Sequence, residues 1–359
     1  MNHRNPPHPR VPLALGRTTA VTSFAILLLF SGAGLVQAIS PSGARPALRP
    51  PEDTEVRLTR TGDAQFAAWS PDSSRILYAR PSGKAKISTG WQLLTDLWSI
   101  DLDAGTPSKV ASNAAYATFS PDGQSIAFLS FVRERTGEVK VWQKGQTKKM
   151  GTADWGSPPR WSEDGQRLLF ATSGAPSKMT STGLARTTLV VPKQPAVPGE
   201  RLLFSPNESY VLRRHHNYLR VLPLDGSPEI EITARPTLFA IWSPDGRRLA
   251  YVIDSGELSP ELWVANADGS AKALIAKGES EYFGPPAWSS DSAQLAFARI
   301  PGGNERQRHS RIWLAFADGH GLRPMSNGLQ EESEPAWSPD GSYIAFQRRG
   351  DIWVRALQR

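Results

Sequence analysis

The sequence predicts an all-β protein, a seven-bladed β-propeller whose ring is closed by an N-terminal strand that completes the last blade. Three observations lead to this fold class. The chain of 359 residues contains 30 Gly, 30 Pro and 12 Trp, a composition typical of short strands joined by many turns. It repeats a phrase close to "WSPDG" at blade-length intervals, and it stops one strand short of completing the last repeat.

The repeat is measured from the aromatic residue that precedes each repeated Ser. These repeat aromatics number the repeats from one to seven and are Trp69, Phe119, Trp161, Phe204, Trp242, Trp288 and Trp337. Their intervals of 38 to 50 residues match the length of a propeller blade. Seven residues after each repeat aromatic an apolar segment begins, as at Ile344 in repeat seven. The constant offset indicates one structural unit repeated along the chain.

Each repeat is predicted to form four antiparallel strands. Ser-Pro-Asp-Gly fits a type I turn, in which Pro sets φ at the second position and Gly then adopts φ > 0. The strand after the turn, "IAF" in repeat seven, is apolar on consecutive residues, which predicts burial on both faces. A third strand such as "DIWVRAL" and a weaker fourth strand follow in most repeats. Sheets covered on both faces by neighbouring sheets are the blades of a propeller.

The two ends of the repeat region predict how the ring closes. Repeat seven reaches Arg359 after its third strand, and the segment "TEVRLTRT" at 54–61 precedes the first repeat aromatic without a partner strand. We expect residues 54–61 to supply the missing fourth strand of the last blade. Such closure removes an exposed sheet edge.

Residues 1–38 have the features of an export signal. Arginines precede an uncharged stretch that begins at Thr18, and the small residues Val36 and Ala38 have the spacing of a signal-peptidase site. The alternative is an uncleaved N-terminal membrane anchor, and both place the rest of the chain outside the cytoplasm. Residues 39–53 are predicted to be a Pro-rich linker and 54–359 the propeller. We expect a periplasmic or secreted monomer, or one anchored to the cytoplasmic membrane and facing outward.

Composition excludes several functional classes. Removing residues 1–38 deletes three Arg and no acidic residue, which lowers the formal net charge from +7 to +4. This balance does not indicate a nucleic-acid partner. The chain has no Cys, which excludes a disulfide framework, a thiolate metal site and a Cys nucleophile.

These repeats resemble the TolB-like, WD-repeat-like β-propeller family, whose units read roughly LT…P-x-W-S-P-D-G-x-x-I-A-F…I-W-x-x-D-x-D-G. Residues 57–80 and 333–355 carry the resemblance best, and it extends over about 54–359. Repeats three and four fit least, since "WSEDG" lacks Pro and "FSPNE" lacks Asp-Gly. The resemblance implies a propeller like that of TolB or of prolyl-oligopeptidase-type proteins. The TolB propeller has six blades, whereas seven units are counted here.

The pair His215-His216 in "RRHHN" is the one cluster weighed as a metal site. Adjacent residues on a strand point to opposite faces, so one strand cannot chelate a metal with both. The alternatives are an anion site beside Arg213 and Arg214, or a solvated turn. Without a second ligand cluster or a G-x-S-x-G nucleophile elbow, we predict no metal, no cofactor and no catalytic residue.

The longest loops indicate where binding would occur. Loops between the second and third strands, such as "PSGKAKISTGWQLL" in repeat one, share one rim with the inter-blade loops. Variable loops on a rigid scaffold are where binding usually resides, and aromatic residues with Arg suit interfaces. The alternative for most of these residues is a solvated loop side chain with no role in binding. The candidate binding residues are Trp91, Trp155, Arg213, His215, Tyr282, Phe283, Arg306 and Arg308. We also expect Arg201 and Glu334 to line the central channel.

These patterns favour an exported, non-catalytic binding module with a protein or peptide partner in the cell envelope. Membrane contact is expected only through an uncleaved N-terminal segment. One alternative is a small-molecule binder, or a hydrolase or lyase, with its site at the channel mouth. Another is an accessory propeller that acts in trans with a separate hydrolase.

Overall fold

The computed structural model describes residues 50, 52–87, 90–133, 136–154, 158–170, 180–181, 201–215, 217–256, 258–302, 309–326 and 330–358. These residues form 28 strands and contain no helix. The predicted signal peptide or anchor at 1–38 and most of the predicted linker at 39–53 lie outside the described residues, so both stay predictions.

Six sheets are complete blades, in which consecutive strands pair antiparallel from the channel outward. Repeat one contains β2(Gln65–Trp69), β3(Arg75–Ile87), β4(Gly90–Asp101) and β5(Pro107–Ala111). Repeat two contains β6(Ala114–Phe119), β7(Ser125–Arg133), β8(Thr136–Gln143) and β9(Gln146–Asp154). Repeat four contains β13(Arg201–Phe204), β14(Tyr210–His215), β15(Tyr218–Pro223) and β16(Ile230–Thr233). Repeat five contains β17(Thr237–Trp242), β18(Arg248–Ile253), β19(Glu261–Asn266) and β20(Ala273–Lys277).

The last two repeats follow the same plan. In repeat six the innermost strand is split, and the elements are β21(Glu281–Phe283), β22(Ala287–Trp288), β23(Gln294–Pro301), β24(Arg311–Phe316) and β25(Arg323–Pro324). Repeat seven contains β26(Glu332–Trp337), β27(Tyr343–Arg348) and β28(Asp351–Ala356), joined by β1(Glu55–Arg57).

The prediction of a seven-bladed propeller is wrong, because the structure has six complete blades. In repeat three the described residues form a three-stranded sheet of β10(Arg160–Trp161), β11(Arg167–Leu169) and β12(Thr180–Ser181). This small sheet packs against repeat two through Trp161 and Leu168, and against repeat four through Leu169. The repeated phrase predicts the turn after the first strand. It does not predict whether three further strands follow.

The turn itself forms in all seven repeats as predicted. In repeat two the Gly123 N–H donates to the Ser120 carbonyl at 2.8 Å, and Gly123 has φ of 69°. In each repeat the Ser hydroxyl accepts the N–H of the residue five positions on, at 2.8–2.9 Å. The same hydroxyl donates to the Asp or Asn two residues on, at 2.5–2.7 Å. The Ser therefore satisfies buried backbone groups that the turn would otherwise leave unpaired.

The hydrophobic core lies between neighbouring sheets. The five Trp among the repeat aromatics are at most 9% exposed, which confirms that they are core residues. Trp242 donates its indole N–H to the Leu203 carbonyl of the preceding blade at 3.0 Å, and Trp161 makes the equivalent contact with Thr118 at 3.4 Å. Each large buried side chain stabilises the fold by roughly 1.5–3 kcal/mol.

The predicted closing strand is present. Strand β1 pairs antiparallel with β28, with Val56 opposite Val354. The indole N–H of Trp69 in repeat one donates to the Ala336 carbonyl in repeat seven at 3.1 Å. Arg348 of β27 also bridges Glu55 of β1 at 2.7 Å and the fully buried Glu332 at 2.6 Å. The N-terminal strand and repeat one are thus joined to repeat seven by backbone pairing, an indole hydrogen bond and the ion pair between Arg348 and Glu55.

Candidate functional site

The second hairpin of repeat one projects beyond its blade. Strands β3 and β4 have 13 and 12 residues, whereas β18 and β19 in repeat five have six each. The segment predicted as a loop is therefore mostly a β-ribbon, in which Lys86 pairs with Trp91 and Lys84 pairs with Leu93. Alternation along the chain supports this pairing, and Gly90 supplies a φ of 141° next to Trp91. Trp91 is 66% exposed, so the ribbon presents an aromatic ring opposite Lys86.

Strand β21 separates two of the predicted binding residues. Tyr282 is 40% exposed, whereas Phe283 is 2% exposed and packs edge-on against Phe297 with ring centroids 5.3 Å apart. Successive side chains of a strand point to opposite faces, so only Tyr282 is available to a partner. Glu281 beside it is paired with Arg299, an ion pair that fixes the end of the blade.

The other predicted candidates have different positions. Arg213 is 7% exposed and donates to Glu229 at 2.7 Å. His215 is 9% exposed and stacks on Tyr218 with ring centroids 5.1 Å apart, so its side chain is not solvated, whereas Asn217 is an exposed turn residue. Both side chains belong to the interior of repeat four. The remaining candidates Trp155, Arg306 and Arg308 lie outside the described residues and stay predictions.

The innermost strands surround the channel, and in three repeats the position three residues before the repeat aromatic carries a polar side chain. Tyr116, Arg201 and Glu334 occupy this position in repeats two, four and seven. In β6 and β26 a β-bulge sets two residues against one, and it gives Tyr116 φ of 55° and Glu334 φ of 52°. Left-handed backbone at residues other than Gly is costly and concentrates at functional sites. Sequence reasoning identified Arg201 and Glu334 but missed Tyr116.

The channel residues have perturbed titration. Burial raises the pKa of Glu334 to about 7, although the side chain keeps partial solvent contact. Burial also raises the pKa of Tyr116, and the positive charge of Arg201 opposes this rise. Burial, with the neighbouring charge of Arg201, lowers the pKa of Arg214 to about 10. The wall therefore contains an acid that titrates near neutral pH and, separately, two guanidinium groups that repel each other.

Two findings concern other kinds of site. Within the described ranges, no helix has the length and apolar composition needed to cross a membrane. In the same part of the chain, no three His, Asp or Glu side chains come together as a metal-binding group.

Four-stranded blades, each with a Ser-Pro-Asp-Gly-type turn between its first two strands, define a repeat β-propeller. More particularly, residues 195–352 match the family model described as TolB beta propeller domain, which confirms the resemblance seen in the sequence. The Tol-Pal system protein TolB of Bordetella pertussis is 36% identical over 157 residues, which are 42% of this chain and 34% of the relative. The chain therefore spans about a third of the length of that curated relative.

Solved structures share the fold at low sequence identity. An oligogalacturonate lyase in complex with manganese has a TM-score of 0.60 at 11% identity, covering 88% of this chain and 97% of that one. A prolyl endopeptidase has a TM-score of 0.54 at 12% identity, covering 83% of this chain and 50% of that one. At such identities the similarity concerns the fold alone.

Proposed function

We propose that the protein is an exported, non-catalytic β-propeller that binds a protein or peptide in the cell envelope. The contact surface is the face formed by the β3–β4 ribbon, Tyr282 and the channel mouth. The exposed Trp91 carries this proposal, because a large aromatic ring with few rotatable bonds loses little entropy on binding. The match to TolB of a Tol-Pal system supports an envelope location.

The charge of the ribbon favours a partner with acidic groups. Lys84 and Lys86 are exposed beside Trp91, and no salt bridge of the described residues involves either lysine. Unpaired surface charges mainly raise the association rate and set specificity, whereas a buried aromatic anchor contributes most of the affinity. We expect Trp91 to be the anchor and the lysines to orient the partner.

Capture from an envelope extract of the host tests the proposal. The wild-type protein is expected to retain a specific partner that is lost with Trp91→Ala and reduced with Tyr282→Ala. Phe316→Ala is the matched control, since Phe316 is 47% exposed at the end of β24 near the tight turns, on the opposite face. Equal retention by all three variants would exclude this face as the binding surface.

A second candidate is a hydrolase or lyase at the channel mouth. The observation that favours it is Glu334, because a carboxyl group with pKa of about 7 is suited to general acid–base chemistry. Incubation with oligogalacturonate, the substrate after which the lyase of similar fold is named, tests this candidate. Cleavage by the wild type that disappears with Glu334→Gln would favour the enzyme over the binding module.

A further inference from the structure

Some arginines within the blades have a carboxylate partner, and others donate to a backbone carbonyl of a neighbouring repeat. Arg201 and Arg214 of repeat four belong to the arginines without a carboxylate partner. Arg80 pairs with Asp63 at 2.8 Å, and Arg213 pairs with Glu229 at 2.7 Å. By contrast, no carboxylate of the described residues forms a salt bridge with Arg201 or Arg214. The channel side of repeat four therefore carries positive charge that the described part of the chain leaves uncompensated.

The two arginines are held next to each other by backbone register. Arg201 of β13 and Arg214 of β14 are directly opposed cross-strand partners. Such partners share a face of the sheet, with Cβ atoms about 4.5–5.5 Å apart. Directly opposed like charges destabilise a sheet, so this pairing works against stability unless an anion lies between the two groups.

The guanidinium of Arg214 is held in place by one hydrogen bond, and its Nε donor has no acceptor among the described residues. One of its terminal nitrogens donates to the Leu238 carbonyl of the next blade. Its Nε is buried and has no hydrogen-bond acceptor among the described residues. Burial, with repulsion from Arg201, lowers the pKa of Arg214 to about 10, so the group is still charged at neutral pH. The guanidinium of Arg214 is therefore positioned and charged, and it has no carboxylate counter-ion among the described residues.

The positive charge of Arg201 also influences a side chain of another blade. It acts on the phenol of Tyr116, which projects from the innermost strand of repeat two. Tyr116 is 6% exposed and lies at a left-handed bulge, so its position is fixed by the backbone. The cationic pair of repeat four therefore lies within electrostatic reach of a buried phenol from repeat two.

We propose that Arg201 and Arg214 form an oxyanion site that holds a carboxylate group of an acidic peptide. This inference rests on the proposed function and specifies the ligand chemistry of the channel. Arginine presents planar pairs of N–H donors that match the two oxygens of a carboxylate. An anion between the two groups would replace their repulsion by charge-assisted hydrogen bonds. Phosphate offers the same oxyanion chemistry, so the experiment separates the two sources.

The test measures the affinity of a fluorescently labelled hexaglutamate peptide for the full chain by anisotropy. Hexaglutamine with the same label controls for the backbone. We expect hexaglutamate to bind and hexaglutamine not to bind, with affinity reduced about tenfold or more in both Arg201→Gln and Arg214→Gln. Arg323→Gln removes one exposed positive charge from repeat six and is expected to change affinity by less than about twofold.

The outcomes decide between three accounts. Equal weakening by Arg323→Gln would overturn the proposal in favour of attraction by net charge. Tight binding of inorganic phosphate that needs both arginines, without binding of hexaglutamate, would overturn the carboxylate assignment. Competition between sodium acetate and hexaglutamate would support it.

Thermal unfolding of the variants provides a second measurement. Removing one of two like charges is expected to leave the unfolding temperature of Arg201→Gln unchanged or raised. A marked fall would show that the pair is structural, and would overturn the proposal. If capture still requires Trp91 while Arg201→Gln leaves hexaglutamate binding unchanged, the binding-module function stands and the oxyanion site fails.

Discussion

Replacing Glu334 by Gln removes a carboxyl group that the channel wall disfavours in its charged form. Burial raises the pKa of this group from 4.5 to about 7. The native state therefore holds the proton more tightly than the unfolded chain does. The contribution of Glu334 to the free energy of unfolding is complete below about pH 4.5, falls as pH rises to about 7, and is constant above that.

The size of the effect follows from the two pKa values. A difference of about 2.5 pH units corresponds to about 3 kcal/mol at 1.36 kcal/mol per pH unit. Solvent contact in the channel reduces this, so Glu334→Gln should be more stable than the wild type by about 1–3 kcal/mol at pH near 8. Near pH 4.5 the two proteins should differ little, because the wild-type carboxyl group is then largely neutral.

Urea unfolding of both proteins at these two pH values measures the difference directly. Glu279→Gln, at an exposed position in repeat six, controls for the loss of one negative charge. The reasoning is refuted if the advantage of Glu334→Gln is the same at both pH values, or if it grows as pH falls. Either result would mean that the channel wall does not disfavour the charged carboxylate.

Two further predictions concern closure of the ring. Gly350 has φ of 73°, and a Cβ there would lie 2.1 Å from the Gly62 carbonyl oxygen. Gly350→Ala should therefore lower the free energy of unfolding by about 2 kcal/mol or more beyond the loss caused by Gly145→Ala. Gly145 is the control, because it has φ of 81° and no atom lies within 4 Å of its Cβ position. Equal urea midpoints for the two variants would contradict the close contact between Gly350 and the Gly62 carbonyl. Arg348→Met leaves the fully buried Glu332 without its cation and should cost about 3–5 kcal/mol, part of which the added Glu332→Gln should restore. A loss below about 1 kcal/mol in urea unfolding would show that this ion pair does not secure the last blade.

Features set by local chemistry could be predicted from the sequence. The Ser turn needs only a few consecutive residues, and it forms in every repeat. Closure by β1 followed from counting strands at the two ends, and burial of the Trp repeat aromatics followed from their periodicity. Each of these inferences depends on residues that are close in sequence or repeated at a fixed offset.

Features set by pairing between distant residues were not predicted. Repeat three starts like the other repeats but does not complete a four-stranded sheet in the described residues. Its missing Pro marked it as a poor fit to the repeat, but the number of strands that follow the turn could not be predicted. The sequence predicts a loop around Trp91, where the structure has a β-ribbon, because the Gly, Ser and Lys of this segment are typical of loops. The opposition of Arg201 and Arg214 depends on strand register, which no single segment encodes.

The central claim, that the face carrying Trp91 contacts a protein or peptide, is tested most directly by site-specific photo-crosslinking in the host envelope. A photoreactive phenylalanine analogue replaces Trp91 or Tyr282, and Phe316 on the opposite face serves as the control position. The account predicts a discrete adduct from positions 91 and 282 and none from 316. An adduct only from position 316, or the same adducts from all three positions, would contradict it.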